Sequence, residues 1–223
     1  MTDNHARNIL TTLRKTFPMP NRANMSRDPF ETLVVTMISQ NTADRNTARA
    51  FENLSNRFNI TPEVLAKADL SQIEQCLKVA GLYRNKAKAI REASRVILGK
   101  YGGDLTSILS LPLHEARNEL LKLPGVGPKT ADVVLLFYAG KATIPVDTHV
   151  NRVSKRLGLA PEKGDYEEVR QALQSLYESK DYFAVHILLI LLGRKYCKAR
   201  IPLCKSCPVR TFCPSRHLWD KNE

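Results

Sequence analysis

No apolar run in this chain is long enough to cross a bilayer. The longest, Ala184 to Leu192, is interrupted by His186 and stops far short of the about 20 residues a spanning helix needs. The N-terminus shows no hydrophobic signal region, and no internal repeat or low-complexity tract stands out. Acidic residues are also short: 22 Asp and Glu against 34 Lys and Arg leave a formal net charge of +12. These absences argue against a membrane-spanning or secreted protein and predict a soluble, cytoplasmic one. The basic balance predicts a polyanion partner, nucleic acid before an anionic membrane. The 223 residues suffice for one large domain or two small ones, with ample core.

Cysteine is nearly absent until the end. Cys76 stands alone on an apolar face with Ile73, Leu77 and Ala80 and reads as core. The other four, Cys197, Cys204, Cys207 and Cys213, fall in the last 27 residues with the spacing C-x6-C-x2-C-x5-C. Without a secretion signal, that crowding disfavours a disulfide framework and points to thiolate ligation in a reducing compartment. Four thiolates suit either tetrahedral zinc or one [4Fe–4S] cluster. Lys195, Lys198, Arg200, Lys205, Arg210 and Arg216 surround them, able to offset a negative cluster and to meet phosphates. Beyond Arg216 the chain is a polar terminus apart from Leu218 and Trp219.

The central stretch is Leu123-Pro124-Gly125-Val126-Gly127-Pro128-Lys129-Thr130-Ala131-Asp132, a tight turn between two helical patterns. Upstream, Leu113, Ala116, Leu120 and Leu121 recur at helical spacing. Downstream, Ala131, Val134, Leu135 and Tyr138 do the same. Gly125 and Gly127 are expected at positive φ with their amides uncovered, and Pro128 fits the first turn of the second helix. Bare amides at a helix N-terminus suit a phosphate oxygen. An ammonium at Lys129 is disfavoured by the helix dipole, so in a dry setting a neutral, nucleophilic amine becomes available. Position alone favours the plainer reading of Lys129 as a phosphate contact.

The remainder reads as helices with named ends. Asn4 to Phe17 is amphipathic. Asp28, with Pro29 and Glu31 behind it, opens a helix carrying Leu33, Val34, Met37 and Ile38. That helix ends near Ser39-Gln40-Asn41-Thr42, and Asp44 is placed to cap the next, which runs to about Phe58. A short helix starts at Thr61-Pro62-Glu63, and Ser71 with Glu74 forms a capping box for the following one. Gly81 stops that helix and leaves Leu82 at a loop tip beside Arg84, Lys86 and Lys88. Such a tip either wedges between bases, with phosphate contacts around it, or folds back into the core. Gln40 and Asn41 either bond a helix end or fill space left by an extruded base. A helix over Lys86 to Lys100 follows. Asp147 caps a helix from Thr148, Asp165 with Glu168 caps another through Leu176, and Asp181 starts a buried one over Tyr182 to Leu192.

LPGVGPKTADVV resembles the helix-hairpin-helix of the endonuclease III family of DNA glycosylases, with Lys129 at the position that attacks the sugar in bifunctional members. Three further motifs occur in the family's order. Gly81-Leu82-Tyr83-Arg84-Asn85-Lys86-Ala87 is similar to its wedge loop. Pro145-Val146-Asp147-Thr148-His149-Val150-Asn151-Arg152-Val153 is similar to its aspartate motif, and the cysteine spacing to its iron–sulfur loop. The family's S-x-Q-x-x-D falls on Ser39 to Asp44, where Asn41 rather than Gln40 takes the glutamine's place.

The resemblance implies an all-α fold of two helical domains with a DNA-binding cleft between them. A six-helix domain with the hairpin covers 22–139, and 1–21 with 140–223 form an iron–sulfur cluster domain. It implies catalytic Lys129 and Asp147, and DNA contacts from Gln40, Asn41, Leu82, Arg84, Lys86, Gly125, Gly127, Thr130, His149 and Arg152. It assigns one [4Fe–4S] cluster to Cys197, Cys204, Cys207 and Cys213. The implied activity is a bifunctional DNA glycosylase/AP lyase of base excision repair. It would act as a nucleoid-associated monomer on double-stranded DNA, removing damaged, oxidised pyrimidines and nicking the abasic site by β-elimination. Two alternatives stand beside it. A mismatch glycosylase removing adenine or thymine is disfavoured by Lys129, and adenine removers carry a catalytic glutamate where this chain has Thr36 and Met37. A non-catalytic helix-hairpin-helix DNA binder is disfavoured by Lys129 and Asp147 together.

Overall fold

The structure, a computed structural model, describes residues 3–20 and 28–218. The expected boundary near residue 22 and the last residues of the polar terminus, from Trp219 on, lie outside the described residues. Among the described residues there are α-helices and short 3₁₀ turns and no strand. None of these helices is long and apolar enough to cross a membrane. The chain divides into two compact units, Met25–Lys141 and Met1–Asn24 with Ala142–Glu223.

The first unit is built from α2 (Pro29–Ser39), α3 (Asp44–Arg57), α4 (Pro62–Lys67), α5 (Leu70–Leu77), α6 (Tyr83–Tyr101), α7 (Thr106–Leu109), α8 (Leu113–Leu121) and α9 (Pro128–Phe137). Six of these run eight residues or more, and α4 and α7 are the short ones. The long helix α6 is the spine. Its Ala87, Ile90, Ala93 and Ile97 are buried at helical spacing, and α2, α4 and α5 pack against it. Leu33, Met37 and Ile38 of α2, Leu54 of α3, Leu77 of α5 and Val134 and Leu135 of α9 join the same core.

Helix starts follow local chemistry. The Asp28 carboxylate accepts from the Phe30 and Glu31 amides at 2.8 and 3.2 Å, with Pro29 in the first turn. Two expected starts are corrected. Asp44 is the first residue of α3 rather than its cap; Ala43 precedes it without a side-chain bond. α5 is capped by Asp69, whose carboxylate takes the Ser71 amide at 2.8 Å, so the Ser71–Glu74 box does not form. A carboxylate one residue before the helix outcompetes a hydroxyl already inside it. The helix expected from Lys86 begins three residues earlier, at Tyr83.

The second unit contains α1 (Asp3–Thr16), α10 (Thr148–Arg156), α11 (Tyr166–Leu176) and α12 (Tyr182–Lys195). α12 is its centre: Val185, Leu188, Leu189 and Leu192 are buried, with α10 and α1 packed on it. Ile9 and Leu13 of α1, Val150 and Val153 of α10, and Val169 and Leu173 of α11 complete the core. His186, which interrupts the apolar run in the sequence, is 4% exposed and satisfied by the Pro145 carbonyl, 2.8 Å from Nδ1. The Asp165–Glu168 capping box forms as expected. Asp181 does not cap α12 with its side chain; it takes the Arg14 guanidinium of α1 at 2.5 Å.

Candidate active site and nucleic-acid interface

The hairpin of α8 and α9 is anchored by Leu123 and Val126, both buried in its turn. Gly125 sits between them at φ +77°, where an L side chain is strained. A Cβ there would meet the Ala89 Cβ at 2.7 Å and the Met37 Cε at 2.9 Å, so the turn lies directly on α2 and α6. Gly127 departs from expectation. Its φ is −100°, extended backbone, and it forms the side-chain-free N-cap of α9. Pro128 then occupies the first turn as expected. Lys129 is half-buried in that same turn.

Gln40 fastens this turn. Its Nε2 donates to the Gly125 carbonyl at 3.0 Å and to the Thr130 hydroxyl at 3.1 Å. Thr130 is 2% exposed, so its side chain faces inward rather than toward a ligand. Asn41, next in the chain, is exposed at φ 53°. Leu82 is 61% exposed at φ 47°, an open tip as the wedge reading requires. Arg84 is exposed and stacks on Tyr83, 5.6 Å from the ring centre to the guanidinium.

Lys86 corrects its expected role as a phosphate contact. It is 7% exposed, and its ammonium donates to the Ile38 carbonyl at 2.8 Å, the Ala80 carbonyl at 2.9 Å and the Thr42 hydroxyl. All three donors are used inside the protein. Burial lowers its pKa, while three acceptors favour the ammonium.

A feature the sequence reading missed ties the hairpin's two helices. Asp132, fully buried on α9, takes Arg117 of α8 through two bonds, Nε to Oδ1 at 3.0 Å and Nη2 to Oδ2 at 3.3 Å. Polar side chains at the inward positions of two adjoining helical patterns were the available signal.

In the second unit, Asp147 is the N-cap of α10. Its Oδ1 accepts from the Val150 amide at 2.7 Å, and the side chain is half-buried. Arg152, expected on DNA, is half-buried and spends its donors on the protein's own backbone. Nε donates to the Cys197 carbonyl at 3.0 Å and Nη2 to the Gly193 carbonyl at 3.1 Å, which ties α10 to the end of α12. His149 lies against the same residues, its Nδ1 3.1 Å from Arg152 Nη2. Burial, more than any neighbouring charge, lowers its pKa.

Cys197, Cys204, Cys207 and Cys213 all line one cavity, together with Arg156, Leu192 and Tyr196. None is in a disulfide. Arg156 points a guanidinium N–H at the Cys197 sulfur, 3.5 Å away, and donates to the Lys198 and Ala199 carbonyls at 2.7 and 2.9 Å. Among the described residues, no three cysteine, histidine or carboxylate side chains are placed to hold a metal ion as they stand.

Residues 34–179 match the HhH-GPD superfamily of base excision DNA repair proteins, and the chain belongs to that superfamily. It is 39% identical to endonuclease III of Bacillus subtilis, over 87% of this chain and 84% of that protein. It is 38% identical to endonuclease III of Thermotoga maritima, over 94% and 92%. A trapped endonuclease III–DNA covalent intermediate superposes with a TM-score of 0.86 at 34% identity, covering 98% of each chain. Within the superfamily, then, the chain is a member of the endonuclease III family, whose activity is that of a DNA glycosylase/AP lyase in base excision repair.

Proposed function

We propose that this enzyme removes damaged pyrimidines, oxidised ones foremost, from duplex DNA and then nicks the resulting abasic site by β-elimination. Lys129 is the nucleophile. Its amine attacks C1′ as the base departs with the electrons of the glycosidic bond, the opened sugar forms a Schiff base, and loss of a C2′ proton expels the 3′ phosphate with the C3′–O electron pair and breaks the strand. Asp147 faces the positive charge that builds on the sugar and helps take the proton from the amine. The observation that carries this reading is Lys129, half-buried in the first turn of α9, on a hairpin that Gly125, Gln40 and the Arg117–Asp132 pair hold in shape.

Asn41 fills the gap left by the extruded base, since the Gln40 amide is already bonded to the hairpin while Asn41 is exposed. Leu82 is the wedge and Arg84 a phosphate contact.

The four cysteines hold one [4Fe–4S] cluster. The donor set fits: four thiols, none in a disulfide, line one cavity, and Arg156 is turned toward the Cys197 sulfur. When bound, the cluster supplies a cross-link that shapes the basic segment around it. Arg152 and Arg156 hold that segment's backbone to α10.

Incubation with duplex DNA containing an abasic site, followed by borohydride, should yield a covalent adduct that Lys129→Gln abolishes. Absence of an adduct with the unaltered protein removes the lyase assignment. Oligonucleotides each carrying one modified base then define the bases released.

A further inference from the structure

Asn41 and Leu82 are the two non-glycine residues at positive φ among those described. A branched residue such as leucine does not keep that conformation on its own; its surroundings must impose it. The two tips lie 41 residues apart in the chain, yet Asn41, Leu82, Asn85 and Gly125 line one hollow. One buried cation connects the backbones on which they stand. Lys86 Nζ reaches Ile38, in the last turn of α2 just before the Asn41 tip, and Ala80, which ends the 3₁₀ turn just before the Leu82 tip. Its third donor goes to the Thr42 hydroxyl, which in turn donates to the Ala80 carbonyl at 2.6 Å. Those carbonyls sit at helix ends, where no intrahelical donor remains and where a positive charge is favoured.

We propose that Lys86 is a positioning residue that locks the Asn41 and Leu82 tips into one preset inserting unit. This rests on the reading of those tips as the groups that enter the duplex. Lys86 touches no DNA itself. Its effect is to make the two insertions a single event, with the ordering of both loops completed before DNA arrives. The Thr42 hydroxyl is the second tie in the same lock.

The test compares two reactions of the full-length protein. One is single-turnover base removal from a duplex bearing one ring-oxidised pyrimidine. The other is strand cleavage at an abasic site in the same sequence as a single strand, where no stacked partner has to be displaced. Lys86→Met should slow the duplex reaction by about tenfold to a hundredfold, the scale of a misplacement of about 1 Å remote from the chemistry. It should leave the single-strand reaction unchanged. In a background of Asn41→Ala with Leu82→Ala, Lys86→Met should add no further loss. Thr42→Val should act in the same direction, and it decides the matter if circular dichroism shows Lys86→Met unfolded. Equal losses on both substrates, or fully additive losses in the combined variant, overturn the role of Lys86 alone. If Asn41→Ala with Leu82→Ala leaves the duplex reaction intact, the inserting-tip reading falls, and the lock with it.

Discussion

The Asp147 carboxylate closes the N-terminus of α10 through the Val150 amide, and the proposed chemistry asks the same group to face a developing charge on a sugar. Substitution separates the two tasks. Serine still caps a helix; alanine does not. Asp147→Ser should therefore keep the melting behaviour of the parent and lose base removal, whereas Asp147→Ala should lose activity and also about 1 kcal/mol in urea unfolding. Comparable stability loss in both variants would show that the carboxylate is needed for more than the cap. Glu119 offers a second residue-scale prediction. Bonds from Lys122, Tyr101 and Lys100 hold its carboxyl down to about 2. A depressed carboxylate contributes stability above its unfolded value, and that contribution fades as the pH falls toward about 2. The melting temperature of the parent should exceed that of Glu119→Gln near neutrality, and the difference should shrink steadily below pH 4.5. Lys86 shows where reading residues from sequence fails. The basic setting of its loop suggests phosphate, but its partners Ile38 and Thr42 lie 48 and 44 residues away. The available clue was its register with Ile90, Ala93 and Ile97, which puts it on the apolar face of α6.

At the scale of elements, α8 and α9 were legible because proline and glycine punctuate the chain between two clean apolar stripes. The start of α2 at Asp28 and the capping box of α11 were legible because their signals are local. The start of α5 shifted because two residues able to cap, Asp69 and Ser71, lie close together, whereas α3 begins after Ala43, which offers no side-chain cap for a sequence pattern to register. What joins the elements was not legible. The Arg117–Asp132 pair depends on two helices meeting at one angle, with 14% and 0% of the side chains exposed. Removing Arg117 takes the guanidinium from a fully buried carboxylate, so Arg117→Met should cost about 3–5 kcal/mol in urea unfolding. The double variant Arg117→Met with Asp132→Leu should recover most of that loss. If the double variant is as unstable as the single one, the ion pair is not what the interface requires.

For the whole molecule, a charge of +12 makes duplex affinity a function of salt. The logarithm of the binding constant should fall linearly with log salt, with a slope of about −0.9 per contacted phosphate. Arg84→Ala should flatten that slope by about one contact. Lys86→Met and Arg152→Met should leave it unchanged, because both cations are already bonded to backbone carbonyls of the protein. Titrations of one labelled duplex across a salt series distinguish the two groups. Total charge was legible from composition alone, but which cations are available to a partner became visible only with burial. The fold itself was legible through the order of its motifs. Gly125 carries the last consequence. Any codon change that alters its residue installs a side-chain carbon, which at this place collides with Ala89 and Met37 beneath the turn that leads to Lys129. The position therefore has no neutral neighbours in sequence space, and a lineage can drift around this glycine but not through it.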